Sequence, residues 1–428
     1  MFRRSFLLLA GTLALGACVE TGPQTGGYFG QPPTALPPGA LTPGAAAGPA
    51  PAAPAGAHVA LLAPVTGANA ERGQALVQAA QLALAAPGSP GLDVRDTGST
   101  PQGAATAAQA ALAAGDALII GPLTAAETAA VAPAARAAGV AVLAFTNDPA
   151  QAQPGVWTLG ITPAQQVRRM VGSLLAQGKN RFTALLPPGD FGSAMGTALT
   201  QTLASAGAPA PEIHVHDGGN ANIASTLRDI SGYATRRGPI DARNKADRSK
   251  HTAEARKEIA DLSRQPIPPP AFDALVLADT GEKLAWEASF LSYYDIGPNE
   301  VHLLGPSLWA SPAMRGGADL GGAWYAAPDP AARATFDQDY QTKYGGPAPG
   351  RADFAYDAAA IARVLATAPG GYSAGSLCRP EGFAGVDGVL ALQPDGTVRR
   401  GLAVFEVHRG GGPTIVDPAP TSLGAPGI

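Results

Sequence analysis

Residues 117–149, ALIIGPLTAAETAAVAPAARAAGVAVLAFTNDP, limit the folds open to this chain more than any other stretch. The runs ALII and GVAVLAF are short and apolar throughout, the pattern of strands buried on both faces. One helix lies between them, opened by Thr124 and Glu127 in the T-x-x-E spacing of a capping box. Buried strands joined by a helix belong in a parallel sheet with helices on both faces. Small polar residues stand only where the strands stop: Thr124 after the first, Thr146 and Asn147 after the second.

The same grammar runs through most of the chain. VALLAP predicts a strand, followed by a helix over 70–86 with Leu76, Ala80 and Leu84 on one face. GLDVRDTG predicts a second, more polar strand, and Thr100-Pro101 opens a helix that ends at Gly115. GVWTLGITPAQQVRRM marks a change of domain. A second series then begins with RFTALLPPGDFG and continues through PEIHVHDGG, AFDALVLADTGEK and EVHLLGPSLW. Two such series predict two α/β lobes with a cleft between them. GAWYAAPDP, a helix over 351–368, and the strands GVLALQPDG and RRGLAVFEVH are left to be shared between the lobes.

A chain of 428 residues accommodates two domains, and its charged fraction of 14% with abundant alanine suits close-packed helices on sheets. The net charge of -4 gives no pointer to nucleic acid. At the start, Arg3 and Arg4 precede an apolar run and LGAC, which ends at Cys18. This is the pattern of a secretory signal, with a core too short to span a membrane permanently. LGAC resembles the lipobox of bacterial lipoproteins, which implies cleavage after residue 17, lipid on Cys18, and, with Val19 next, the outer membrane of a Gram-negative cell. Residues 18–57 are Gly, Pro, Ala and Thr with almost no charge, the composition of a flexible tether. Cys378 is the other cysteine and reads as a small buried hydrophobe.

One segment departs from the rhythm. Residues 236–264 hold nine Lys and Arg against five Asp and Glu. Arg243 with Asp247, and Lys257 with Asp261, have helical i,i+4 spacing. The segment reads as a solvated helical insertion or a mobile loop, and its net positive charge also suits a docking site.

Catalytic signatures are sparse. Gly371-Tyr372-Ser373-Ala374-Gly375 matches G-x-S-x-G, and Asp387 and His408 follow in hydrolase order. A nucleophile elbow, however, needs a buried strand before the serine and a helix after it, and the flanks supply neither. His214 and His216 alternate along a strand beside Asp217 without a further ligand in sequence, so no metal and no cofactor are expected. The strand ends remain. In an open parallel sheet ligands bind outside the carboxyl ends of the strands, where Thr66, Thr124, Thr146 and Asn147 fall.

Taken together, HVALLAPVTG, the 117–149 stretch, GVWTLGITPAQQVRRM, GDFGSAMG and GFAGVDGVLALQPDGTVRRGLAVFEV resemble the type I periplasmic binding proteins of the leucine-binding class. LAFTND, LADTGEKL and LLGPSLW further resemble the lipoproteins called penicillin-binding protein activators. The resemblance implies two lobes, each a mainly parallel sheet flanked by helices, joined by three crossovers near 158–162, 305–311 and 382–386. It assigns 58–160 and 309–382 to the first lobe, 161–308 and 383–416 to the second, and 417–428 to a tail. The cleft it implies contains Thr66, Thr124, Ala125, Thr146, Asn147, Phe191, Asp279 and Ser307. Relative to amino-acid receptors, Ala125 stands where a serine holds the ligand carboxylate, and Ser307 where an acid holds the ammonium. Asp279 or Asp190 would have to replace that acid. The implied function is a non-catalytic activator of peptidoglycan synthesis whose partner is a penicillin-binding protein. The rival is a receptor that delivers an amino acid to an ABC permease, and a serine hydrolase using Ser373 is the remote third.

Overall fold

A computed structural model describes residues 58–423, apart from 317–319 and 410–411. Cys18, the signal segment and the tether lie outside the described residues. Among those described, no helix is long and apolar enough to cross a membrane.

The first lobe is built from β1 (His58–Ala63), α1 (Ala70–Ala83), β2 (Gly91–Asp96), α2 (Pro101–Ala114), β3 (Leu118–Ile120), α3 (Ala125–Ala137), β4 (Ala141–Ala144) and β5 (Val156–Thr158). Its sheet is parallel throughout, in the order β2-β1-β3-β4-β5. Alternation along β1 explains why the strand is apolar at every position but the first. Val59, Leu61 and Ala63 enter a core shared with α1, while Ala60 and Leu62 enter one shared with α2 and α3. Helix starts follow the sequence signals: Thr100 caps α2, and Thr124 with Glu127 forms the capping box of α3. Gly121, between β3 and that box, has φ of 89°, and a Cβ there would lie 2.4 Å from the Leu62 carbonyl oxygen. Only glycine lets the turn come so close to β1.

The second lobe comprises α4 (Pro163–Ala176), β6 (Phe182–Leu186), α5 (Asp190–Ser205), β7 (Glu212–Val215), α6 (Asn220–Ile230), α7 (Tyr233–Arg236), α8 (Gly238–Arg248), α9 (Ala253–Ser263), β8 (Ala274–Leu277), α10 (Gly281–Leu291), β9 (His302–Gly305) and β10 (Trp324–Ala327). The chain then returns to the first lobe with α11 (Pro330–Tyr344), α12 (Ala352–Ala366), α13 (Ala374–Leu377), β11 (Phe383–Gly385), β12 (Gly388–Leu392) and β13 (Val398–Arg400). These last three strands form a small antiparallel sheet whose Phe383, Leu390 and Val398 join the core of α1 and α12. β14 (Ala403–Glu406) and β15 (Thr414–Asp417) complete the second sheet, ordered β15-β14-β10-β9-β8-β6-β7. That sheet is parallel from β10 to β7 and antiparallel at β14 and β15.

The first crossover falls at 159–162, within the expected region. The second and third fall at 328–329 and 401–402, later than the expected 305–311 and 382–386. The expected assignment of 309–382 to the first lobe and 383–416 to the second is corrected accordingly. β10 pairs with β9 and β14, and the β11–β13 sheet packs on the first core. The cause is visible in RRGLAVFEVH, which is two strands rather than one. The strand is interrupted at Gly401, where a Cβ would lie 2.9 Å from Val389 and 3.0 Å from the Pro420 carbonyl. The charged insertion forms α8, α9 and part of α7 rather than a loop, and the expected i,i+4 pairs are replaced. Arg243 bonds Glu258 across the helix pair, Lys250 bonds Asp247 at 2.7 Å, and Arg264 approaches Asp261 at 3.7 Å.

Candidate functional site

On the first lobe, Thr66 is exposed just past β1, and its hydroxyl donates to Asp96 Oδ2 at 2.5 Å across to the end of β2. The Thr66 and Gly98 N–H groups donate to Asp96 Oδ1. Slight burial works the other way, but these donors hold the Asp96 carboxyl below its ordinary value. Thr124 is committed locally. Its hydroxyl donates to Glu127 Oε2 at 2.8 Å, its N–H donates to the same oxygen at 2.9 Å, and Glu127 N–H donates back to its Oγ1. The other Glu127 oxygen accepts from the buried Thr97 hydroxyl at 2.7 Å. Ala125 begins α3 and is partly exposed. Thr146 is buried and accepts from Asp148 N–H, whereas Asn147 is exposed. Glu127 was read from sequence only as the capping-box partner of Thr124, and Asp96 and Thr97 were not singled out. Their signal was available, since a polar DTG ends a strand that aligns with LLAPVTG.

On the second lobe, Phe191 is exposed in the first turn of α5, beside Asp190. Ser307 follows β9, and its N–H donates to Gln166 Oε1 of α4 at 2.7 Å. Asp279, past the end of β8, is buried. Its Oδ2 lies 2.7 Å from His216 Nε2, and its carbonyl accepts from Trp309 Nε1 at 3.0 Å. Trp309 is seated by Gly305, where a Cβ would lie 2.4 Å from the indole ring. His216 and His214 do not act as a pair. β7 stops at Val215, so His216 turns inward and is buried, while His214 stays partly exposed near Glu212.

Glu287 of α10 closes this cluster. It is fully buried, and neither carboxylate oxygen has a hydrogen-bond partner. Burial, and then the facing Asp279, raise its carboxyl well above the ordinary value. Donor atoms of His216, Asp279 and Glu287 lie within 4.8 Å of one another, a spacing compatible with a metal. The proton inventory argues otherwise. Gly218 N–H donates to His216 Nδ1 at 3.0 Å, so in the neutral ring the proton sits on Nε2 and is donated to Asp279. A nitrogen carrying its proton has no lone pair for a metal. The cluster is a proton-sharing group that occupies the floor of the second lobe.

The G-x-S-x-G match resolves into a helix cap. Ser373 Oγ accepts from Ser376 N–H at the start of α13. Asp387 approaches Arg333 at 3.5 Å, and His408 Nε2 lies 2.7 Å from Thr414 Oγ1. Among the described residues no hydrogen bond joins any two of Ser373, Asp387 and His408.

Two α/β lobes, three crossovers, and polar groups at the carboxyl ends of both sheets define a protein of the two-lobed binding class. The chain belongs to the periplasmic binding protein family, which matches residues 57–377. A candidate branched-chain amino acid ABC transporter protein from Rhodospirillum rubrum has the same fold at 19% identity, covering 84% of this chain and 100% of that one, with a TM-score of 0.64. Full-length LpoA from Haemophilus influenzae matches at 16% identity over 86% of this chain and 60% of its own, with a TM-score of 0.59. Its C-domain alone, described as a regulator of PBP1A, matches at 16% identity over 84% of this chain and 100% of its own, with a TM-score of 0.58. No curated protein sequence matches the chain.

Proposed function

We propose that this chain is a periplasmic lipoprotein, anchored in the outer membrane through lipid on Cys18, that regulates peptidoglycan synthesis by contacting a penicillin-binding protein and performs no chemistry itself. The observation that carries this reading is the state of Asp279. An amino-acid receptor must offer a carboxylate to the ligand ammonium, because a buried ammonium without a counter-charge is costly. Ser307 cannot supply that charge, and Asp279 is buried and committed to His216. Regulation of PBP1A, the role given to the Haemophilus LpoA C-domain, asks of this fold a partner surface rather than a ligand grip. The insertion provides one: Lys245, Arg248, Arg256 and Lys257 are exposed and make no ion pair among the described residues. The alternative, an amino-acid receptor of an ABC transporter, draws on one observation, the exposed Phe191 in the second-lobe turn.

Co-purification from membranes separates the two. The intact chain should retain a bifunctional peptidoglycan synthase, and removal of residues 236–264 should weaken that retention. Within α8 and α9 the insertion buries only Asp247, Ala255 and Leu262. Arg236 and Arg237 bond Tyr294 and Asp295, so replacing Lys245, Arg248, Arg256 and Lys257 by glutamate serves as a second variant that leaves those contacts in place. A clear thermal stabilisation by leucine, isoleucine or valine, with no synthase retained, would transfer the protein to the transport reading.

A further inference from the structure

A depression of about 440 Å³ lies on the second lobe where the first turns of α6 and α10 meet, and none of the expected cleft residues lines it. Its lining includes Asn220, Glu282, Lys283, Trp286 and Ser289. Trp286 is 39% exposed, and its ring is fixed in place by an Nε1 donation to the Asn220 carbonyl at 3.0 Å. From there a continuous line of aromatic rings runs along the lobe. Phe290 meets Trp286 edge-on at 5.3 Å, Tyr294 stacks on Phe290 at 5.9 Å, and Tyr293 meets Tyr294 at 5.0 Å. Tyr293 is 55% exposed. The two exposed rings are seven residues apart, Trp286 within α10 and Tyr293 just past its end at Leu291.

We propose that this depression binds a neutral β-1,4-linked pyranose chain, with one sugar ring on the Trp286 face and the chain running towards Tyr293. In such a chain the axial C–H groups make each ring face flat and apolar, and the equatorial hydroxyl or N-acetyl groups form a polar rim. The lining answers both halves. An indole face offers a large apolar surface with a negative quadrupole, and Glu282 makes no hydrogen bond or ion pair among the described residues, leaving its carboxylate to accept from sugar hydroxyls. Lys283 keeps its charge but directs protons to the Gly218 carbonyl and, at 3.0 Å, to Asn220 Oδ1. With Glu282 beside it the lining carries one charge of each sign, which favours a ligand without net charge. The exposed large hydrophobics of this face are the aromatic Trp286 and Tyr293, whereas the exposed valines and isoleucines among the described residues lie in the turn after β1 and on β2, β7 and β15. One exposed indole with a few converging polar groups in a concavity of this size suits a small ligand better than a protein anchor. The inference does not depend on which protein the lobes meet.

The test uses the intrinsic fluorescence of the full chain in a detergent free of sugar. Trp157, Trp309 and Trp324 are buried, so acrylamide quenching of tryptophan reads Trp286. Chitotetraose and cellotetraose should each shield Trp286, with affinity in the micromolar to millimolar range. Trp286→Ala should weaken binding measured by calorimetry at least tenfold, and Glu282→Gln severalfold, both with an unchanged melting temperature. Absence of shielding and of heat for both sugars to about ten millimolar overturns the proposal. So does a result in which Trp286→Ala abolishes capture of a protein partner while neither sugar binds, which would make the surface a protein interface.

Discussion

His216 donates to Asp279 across 2.7 Å, and Glu287, its carboxyl raised by burial, faces the same carboxylate from α10. Three buried side chains, two of them joined by a hydrogen bond, thus occupy the carboxyl end of β8. The arrangement stabilises the second lobe only while the imidazole is present. His216→Ala should cost about 3 kcal/mol in urea unfolding, because it leaves a buried carboxylate without its donor. His216→Gln, which keeps an N–H in reach, should cost less than half of that. A chelator should leave the melting temperature of the native protein unchanged. A drop on chelation would show that a metal, rather than a proton, holds the cluster together.

Thr124 serves α3 before it serves any ligand. With both partners of the capping box engaged, Thr124→Ala should lower stability by about 1 kcal/mol. Glu127→Ala should lower it further, since Thr97 and the Thr124 N–H then lose a buried acceptor together. Denaturant titration checks both. Equal stability of Thr124→Ala and the native chain would return Thr124 to a purely ligand-facing role.

What sequence made legible is what local rules govern. The strand–helix alternation, the Thr100 and Thr124 caps and the first crossover depend on neighbours a few residues away, and the structure has them as expected. β10 is different, because its place in the second sheet comes from pairing with β9 on one side and with β14, some eighty residues on, on the other. No local signal in GAWYAAPDP says which lobe will receive it. The signal for Gly401 was present, a glycine inside an apolar strand run, which often marks a break or a close approach. Glu287 was also within reach: Leu284, Glu287 and Leu291 lie at helical spacing on the buried face of α10, so one acid sits in an apolar stripe. Its partners could not be read, because His216 lies more than sixty residues away and meets Asp279 only through the pairing of β6 with β7 and β8.

Gly305 sets the position of Trp309, and through it the carbonyl side of Asp279. Gly305→Ala should push the indole aside, break the Nε1 donation to Asp279, and destabilise the lobe by about 3 kcal/mol through overpacking and the lost hydrogen bond. A red shift in tryptophan emission should accompany it. Leu308→Ala, a neighbouring and partly exposed position, serves as the control and should leave the emission maximum unchanged.

Arg400, at the third crossover, donates to the Leu159 carbonyl at the first and faces Asp357 of α12 at 3.7 Å. Burial raises the Asp357 carboxyl to about 7, against the opposing pull of Arg400 and of the Val386 N–H that donates to its Oδ1. The folded state therefore keeps a proton on Asp357 at a pH where the unfolded chain, with an ordinary carboxyl near 3.8, has lost it. Linkage makes this contribution fully present below the unfolded value and lost as pH rises towards 7, a change on the order of 4 kcal/mol across the window. Asp357→Asn keeps an acceptor for Val386 and removes the titration. Relative to the native chain, the variant should therefore gain stability steadily between pH 4 and 7, the range set by those two values, and hold level above it. Urea unfolding at several pH values reads the difference directly, and parallel curves for the two proteins would mean that the proton is held elsewhere in the crossover.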